Sequence, residues 1–194
     1  MRWAIAGAAV TGLALAAATA ALVAQSQTAR ASDAPARAGA TTGFSFEFPG
    51  IDGAPLPLEQ FAGGPLLVTN TASRCGFTYQ YDGLQELWDR YRDRGLTVIG
   101  APSDDFNQEL DSAAEVKAYC ELNFGITFPM TDIVKVKGQG AHPFFAWAAE
   151  RSQAPNWNFN KYLVAADGTL VRRYPPTTPP ERIAADIEAL FATR

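Results

Sequence analysis

The sequence predicts an α/β sandwich, in which helices flank a central mixed sheet of two parallel strands plus an antiparallel hairpin, with a further small β-hairpin towards the N-terminus. Two observations carry this prediction. The apolar runs 65–71 and 96–101 have the composition of strands buried on both faces, and an amphipathic segment lies between them. Later in the chain, Asp167-Gly168 separates two strand-like segments, which is a strong hairpin signal.

The first 31 residues have the composition of a signal peptide. Arg2 gives a positive start, residues 3–23 are almost unbroken Ala, Leu, Val, Gly and Ile, and Ala29-Arg30-Ala31 forms a small-x-small cleavage site. The apolar run is also nearly long enough to cross a bilayer, which takes about 20 residues, so a retained N-terminal membrane anchor stays open. We therefore expect an exported, periplasmic protein, or one anchored to the inner membrane and facing the periplasm.

The rest of the chain is predicted to be a flexible tether, residues 32–42, followed by one domain, residues 43–194. A domain of about 150 residues is large enough to bury one substantial core. The net charge of −4 is small, and no cluster of Lys and Arg with interleaved aromatics occurs, which argues against a nucleic-acid partner. One histidine and two distant cysteines do not match the ligand set of a structural zinc site.

Each predicted element has a local sequence signal. Residues 44–48 alternate apolar and polar, as a half-buried strand does, and residues 55–58 are expected to return beside them after the Asp52-Gly53 turn. Apolar positions at helical spacing predict a helix from Tyr79 to Arg94, which ends at Gly95. This helix links the two apolar runs into a βαβ unit, so these two strands should be parallel.

The second half of the domain is predicted to hold three helices and a hairpin. Ser112-Ala113-Ala114-Glu115 is a capping box, so a helix is expected from there to Phe124 with Gly125 as its C-cap. Pro143 is expected to open a short helix and Pro179 the last one, because proline is favoured at the first helical position. His142 directly precedes one of these starts, so we interpret it as structural rather than as a general base.

The predicted order of elements is that of a thioredoxin-like sandwich. In such a sheet the turn after the first core strand lies at the carboxyl end, where α/β sheets place their sites, and Cys75 lies in this turn. A helix N-terminus favours a thiolate, whereas the plain alternative is an inert structural cysteine. Because residue 78 is Thr, CxxC disulfide exchange is excluded, and a lone thiolate suited to attack a peroxide remains.

Collinear motifs from about Phe44 to the C-terminus resemble the glutathione peroxidase family. The main ones are 70–78 (NTASRCGFT), 80–84 (QYDGL), 107–109 (NQE), 120–129 (CELNFGITFP), 157–164 (WNFNKYLV) and 176–181 (PTTPPE). The resemblance implies a thiol-dependent peroxidase that reduces hydrogen peroxide and organic or lipid hydroperoxides through a cysteine sulfenic acid. It also implies no bound cofactor, with glutathione or a thioredoxin-like protein as the reducing co-substrate.

The resemblance places the family's active tetrad at Cys75, Gln108, Trp157 and Asn158. Cys75 would be the nucleophile, and the other three would donate hydrogen bonds from amide or indole N–H groups to the thiolate and the leaving oxygen. The sequence departs from the family around Gln108, where the loop is one residue shorter and Leu110 replaces a common proline. The short segment between Pro143 and Trp157 lacks the insertion of tetrameric relatives, so we expect a monomer.

Cys120 lies one position ahead of the resolving cysteine of thioredoxin-dependent relatives. Three interpretations stay open for it: a buried structural thiol, a resolving thiol reached by unwinding the end of its helix, and a static disulfide with Cys75. The alternative function is a non-catalytic exported redox sensor or copper-delivery module on the same fold. A copper carrier would need a second thiol close to Cys75, which Thr78 does not supply.

Overall fold

The computed structural model describes residues 41–192. The predicted signal peptide or anchor, and residues 32–40 of the predicted tether, lie outside the described residues. Within the described part of the chain, no helix is long and apolar enough to cross a bilayer. In chain order the elements are β1 (Glu47–Pro49), β2 (Pro55–Pro57), a 3-10 turn (Leu58–Phe61), β3 (Leu66–Thr71), α1 (Gln80–Tyr91) with a 3-10 extension (Arg92–Arg94), β4 (Thr97–Pro102), α2 (Ala113–Phe124), α3 (Pro143–Arg151), β5 (Lys161–Val164), β6 (Leu170–Tyr174), and a 3-10 turn (Pro180–Ile183) that leads into α4 (Ala184–Ala192).

The central sheet has the strand order β4-β3-β5-β6. Strands β3 and β4 are parallel, whereas β5 is antiparallel to both β3 and β6. Strands β1 and β2 pair separately as a small antiparallel hairpin. The predicted mixed sheet, its βαβ unit and the N-terminal hairpin are thereby confirmed, and the domain has a thioredoxin-like fold.

Alternate residues of the central strands point into two separate cores. On one face Leu67, with its neighbours Val98 and Leu163, packs among apolar side chains of α1, α2 and α4. On the other face Leu66 and Val68 pack with aromatic residues of α3 and of the β1–β2 region. Because β3 is buried on both faces, the side chain of Asn70 near its end makes its hydrogen bonds inside the protein, to the backbone of Trp157 and Asn160.

The two ends of α2 have the caps that the sequence predicts. The Ser112 hydroxyl accepts a hydrogen bond from the Glu115 N–H at 3.3 Å and donates to the Glu115 carboxylate at 2.9 Å. At the other end Gly125 adopts φ = 59°, a left-handed conformation that glycine tolerates at a helix C-cap. These caps fix the length of the helix that carries Cys120.

His142 is the N-cap of α3. Its Nδ1 accepts a hydrogen bond from the Phe144 N–H at 3.3 Å, and its Nε2 lies 2.9 Å from the Glu47 carbonyl oxygen. A carbonyl can only accept, so Nε2 carries the proton and the ring is neutral. The ring also stacks on Phe48 with centroids 3.8 Å apart, and burial lowers the pKa of His142 below its usual value.

Several predicted boundaries differ from the structure by a residue: β3 begins at Leu66 rather than at residue 65, β4 spans Thr97–Pro102 rather than 96–101, and α1 begins at Gln80 rather than at Tyr79. Two further differences have a clear local cause. The first strand begins at Glu47 rather than at residue 44, because Ser45 N–H donates to the Thr42 carbonyl and closes a turn there. The last helical segment begins at Pro180 rather than at Pro179, and its first turn is 3-10. The residue before a proline is disfavoured in the helical region, and Pro179 is accordingly extended, with ψ = 150°.

Candidate active site

Three chain segments meet at one end of the central sheet. The Cys75 turn follows β3, the Gln108 loop follows the parallel strand β4, and Trp157-Asn158 precede β5. Because β5 is antiparallel to β3, the start of β5 lies beside the end of β3, with Lys161 opposite Thr69. The topology therefore gathers all four tetrad candidates at the carboxyl end of the parallel strands.

Cys75 lies in a turn before the first helix, not in the helix itself. Helix α1 begins only at Gln80, and residues 76–79 form turns between the thiol and that helix. A helix dipole acts mainly within the first turn of the helix. Cys75 precedes that turn by several residues, so the expected stabilisation of its thiolate by the N-terminus of α1 is not seen in the structure. A specific donor takes its place, since the Phe77 N–H points at the Cys75 sulfur with N···S of 3.5 Å. The side chain is only 4% exposed.

The shortened Gln108 loop still reaches the Cys75 turn. The Arg74 N–H donates to the Gln108 carbonyl oxygen at 2.8 Å, one residue before the thiol. The Ser73 N–H donates to Oε1 of Glu109 at 2.9 Å. Two consecutive N–H groups of the turn are therefore bound by two consecutive residues of the loop, despite the missing residue and the Leu at position 110.

The Asn158 amide joins the two loops of the site. Its Nδ2 donates to Oε1 of Gln108 at 2.9 Å, and the residue is fully buried. Its Oδ1 is buried without a hydrogen-bond partner in the described part of the chain. The amides lie next to backbone strain, because Asn107 has φ = 56° and Phe159 has φ = 62°. A left-handed phenylalanine is costly, and such outliers cluster at functional sites.

Trp157 forms the outer edge of the site. Its side chain is 39% exposed, and its ring lies 5.3 Å from the Phe106 ring, centroid to centroid. Asn70, at the end of β3, fixes the backbone of this segment. Its Nδ2 donates to the Trp157 carbonyl at 3.0 Å, and its Oδ1 accepts from the Asn160 N–H at 2.9 Å. The sequence carries a signal for this role, since Asn70 is a polar residue in a fully buried strand.

Cys120 is fully buried on the inner side of α2, in the core that also contains Leu67. The thiol lies against the Tyr81 hydroxyl, and burial raises its pKa to about 11. Cys75 and Cys120 are both free thiols. Both thiols belong to the same buried core, and the raised pKa of Cys120 makes it a poor nucleophile.

Glu109 is the functional candidate that the sequence did not single out. It is only 2% exposed. Its Oε1 accepts hydrogen bonds from the backbone N–H groups of Ser73 and Leu110, each with an N···O distance of 2.9 Å. Burial raises its pKa above the usual carboxyl value. Among the described residues, no group of three or more His, Cys, Asp or Glu side chains is placed to hold a metal ion.

The arrangement is suited to chemistry at a single sulfur. A buried thiol sits beside a backbone donor, and two linked side-chain amides and an indole lie around the same end of the sheet. Donors of this kind stabilise a thiolate and a developing oxyanion without losing a proton themselves.

Comparison with known proteins gives one consistent family. The glutathione peroxidase family model matches residues 44–149. The hydroperoxy fatty acid reductase gpx1 of Synechocystis is 43% identical over 160 residues, which covers 76% of this chain and 95% of that protein. The glutathione peroxidase homolog BsaA of Bacillus subtilis is 43% identical over 148 residues, with coverage of 73% and 92%.

A solved structure agrees with these matches. The crystal structure of T. cruzi GPX1 superimposes with a TM-score of 0.66 at 28% identity, over 79% of this chain and 99% of that protein's chain. The chain thus belongs to the glutathione peroxidase family and is a peroxidase, an oxidoreductase acting on peroxides.

Proposed function

We propose that this protein is a thiol-dependent peroxidase in which Cys75 reduces hydrogen peroxide and organic or lipid hydroperoxides. The observation that carries the proposal is the amide link from Asn158 to Gln108, on a loop whose backbone binds the residue before Cys75. The Synechocystis relative is a hydroperoxy fatty acid reductase, which supports lipid hydroperoxides as substrates.

In the proposed reaction the Cys75 thiolate attacks the terminal peroxide oxygen. The S–O bond forms as the O–O bond breaks, and Cys75 becomes a sulfenic acid. The leaving alkoxide takes up the proton that the Cys75 thiol released on ionising and departs as the alcohol. One thiol then condenses with the sulfenic acid to release water and form a mixed disulfide. A second thiol then attacks the mixed disulfide, which frees the Cys75 thiolate and releases the two reducing thiols joined as a disulfide. Two thiols and one hydroperoxide thus give one disulfide, one alcohol and one water.

We propose that the reducing thiol comes from outside the chain, as glutathione or a thioredoxin-like protein. The support is the burial of Cys120 and its raised pKa, which favour a structural thiol over a resolving one. We also propose that the domain acts as a monomer outside the cytoplasm. The proposed monomer rests on the short segment before Trp157, and the proposed location rests on the composition of the N-terminal residues.

The test is steady-state consumption of hydrogen peroxide with glutathione as donor. Cys75→Ser should lower the rate about a thousandfold or more, because a serine hydroxyl stays protonated and cannot accept oxygen in this way. Cys120→Ala is the matched control and should keep the rate. Equal rates for the parent and Cys75→Ser would refute the proposal. A stoichiometric thiolate-to-copper absorption band on titration with copper would favour the alternative copper module instead.

A further inference from the structure

Glu109 is a buried carboxylate that the proposed reaction does not use. Carboxylates are almost never fully buried unless they are paired with a cation. Within residues 41–192, the hydrogen bonds to the Glu109 carboxylate come instead from the backbone N–H groups of Ser73 and Leu110. Its own N–H donates to Asp104 at 3.1 Å.

Stability alone does not account for this residue. Burying an ionised carboxylate without a cation is expensive, and two backbone N–H groups bound at one oxygen offset only part of that cost. Oε2 is buried without a hydrogen-bond partner among the described residues, and so is the Ser73 hydroxyl that lies against the carboxylate. Oε1 of the carboxylate therefore accepts two hydrogen bonds, whereas Oε2 accepts none among the described residues.

The bound oxygen lies where the two loops of the active site meet. Oε1 accepts from Ser73, and the next residue of the turn, Arg74, donates to the carbonyl of Gln108. These neighbouring contacts fix the loop against the turn that ends in Cys75. The Gln108 side chain then accepts from Asn158, so any slip of the loop would move this amide pair relative to the thiol.

We propose that Glu109 is a positioning residue: through Oε1 it holds the Gln108 loop in register with the Cys75 turn and so aligns the Gln108 and Asn158 amides on the reacting peroxide. The inference rests on the proposed role of Cys75. In this role Glu109 acts through Oε1 as a hydrogen-bond acceptor, and its negative charge is not required. A glutamine, whose carbonyl oxygen can accept the same two N–H groups, should therefore replace the glutamate.

The test compares two reactions of the same sulfur. In the Cys120→Ala background, where only Cys75 can react, the rate constants for tert-butyl hydroperoxide and for iodoacetamide are measured. Peroxide reduction needs donors at the leaving oxygen, whereas alkylation does not, so their ratio cancels changes in thiolate fraction and exposure. The variants are Glu109→Ala, Glu109→Asp and Glu109→Gln, with Gly168→Ala as a control that weakens the fold in the β5–β6 turn, at the end of β5 away from the site.

We expect Glu109→Ala and Glu109→Asp to lower the peroxide-to-iodoacetamide ratio about tenfold or more, because small misplacements of catalytic groups have effects of this size. Glu109→Gln and Gly168→Ala should stay within about threefold of the parent. If Glu109→Ala does not fold, the pair of Glu109→Asp and Glu109→Gln still decides the matter.

A ratio unchanged in Glu109→Asp, or a loss in Glu109→Gln equal to that in Glu109→Asp, would overturn the inference. Failure of the proposed function gives a different result, because the parent itself would then show no peroxide reaction at Cys75.

Discussion

The cap on α3 makes a sharp prediction about stability and pH. His142 holds the Phe144 N–H through Nδ1 only while that nitrogen is unprotonated, and Nε2 is already committed to the Glu47 carbonyl. A second proton on the ring would break the cap and place a charge on a half-buried side chain. His142→Asn keeps an N-cap acceptor at this position but cannot titrate in this range.

The magnitude follows from a single proton. Burial lowers the pKa of His142 in the folded state, so the unfolded chain binds more protons between the unfolded value of about 6.5 and the folded value. Stability in that window rises with pH, with a slope of at most about 1.4 kcal/mol per pH unit. The stabilisation by the neutral ring is therefore complete above about pH 6.5 and is lost as the pH falls towards the folded pKa.

Urea denaturation at pH 7.5, 6.5 and 5.5 measures the effect as the free energy of unfolding of the parent minus that of His142→Asn. His142 is the one histidine of the chain, so other titrating groups cancel in this difference. The lost stacking on Phe48 adds an offset that does not depend on pH. We expect the difference to fall as the pH is lowered from 7.5 to 5.5, with a slope of at most about 1.4 kcal/mol per pH unit. A difference that stays constant would refute the assigned tautomer and cap.

Two further predictions concern the frame of the domain. Ser112→Ala should lower the free energy of unfolding by about 1 kcal/mol in urea denaturation, because the N-cap bond to Glu115 is lost, while Glu115→Ala at the same cap should cost less. An unchanged free energy for Ser112→Ala would contradict the cap. Gly168→Ala should be destabilising by about 1 kcal/mol or more, because Gly168 has φ = 84° and a Cβ there would lie 2.5 Å from the Thr42 Cβ. A neutral result in the same assay would mean that the hairpin turn can relax.

Much of the fold could be predicted because its signals are local. The two buried strands, the Asp167-Gly168 hairpin and the caps of α2 each depend on residues close together in sequence, and all occur as predicted. The errors are also local. The turn closed by the Ser45 N–H shortens the first strand, although the alternating pattern extends further. Because Pro180 follows Pro179 directly, the helical segment begins one residue later than the preference for proline at the first helical position predicts.

The site could be predicted only in part. The family resemblance named residues from three segments, and the sheet topology explains why those segments meet. Glu109 was missed because a lone Glu in a polar loop is normally solvated, and only the folded chain shows it buried against Ser73. The sequence likewise does not show that the short Gln108 loop contacts the Cys75 turn, since this contact depends on a backbone hydrogen bond with Arg74.

The most direct test of the central claim is the intact mass of the protein after one equivalent of hydrogen peroxide, without added thiol. The account predicts a gain of one oxygen atom in the parent and in Cys120→Ala, and no change in Cys75→Ser. A gain of oxygen in Cys75→Ser would contradict Cys75 as the reacting thiol. A loss of two hydrogens in the parent would show a Cys75–Cys120 disulfide and contradict reduction by an external thiol alone.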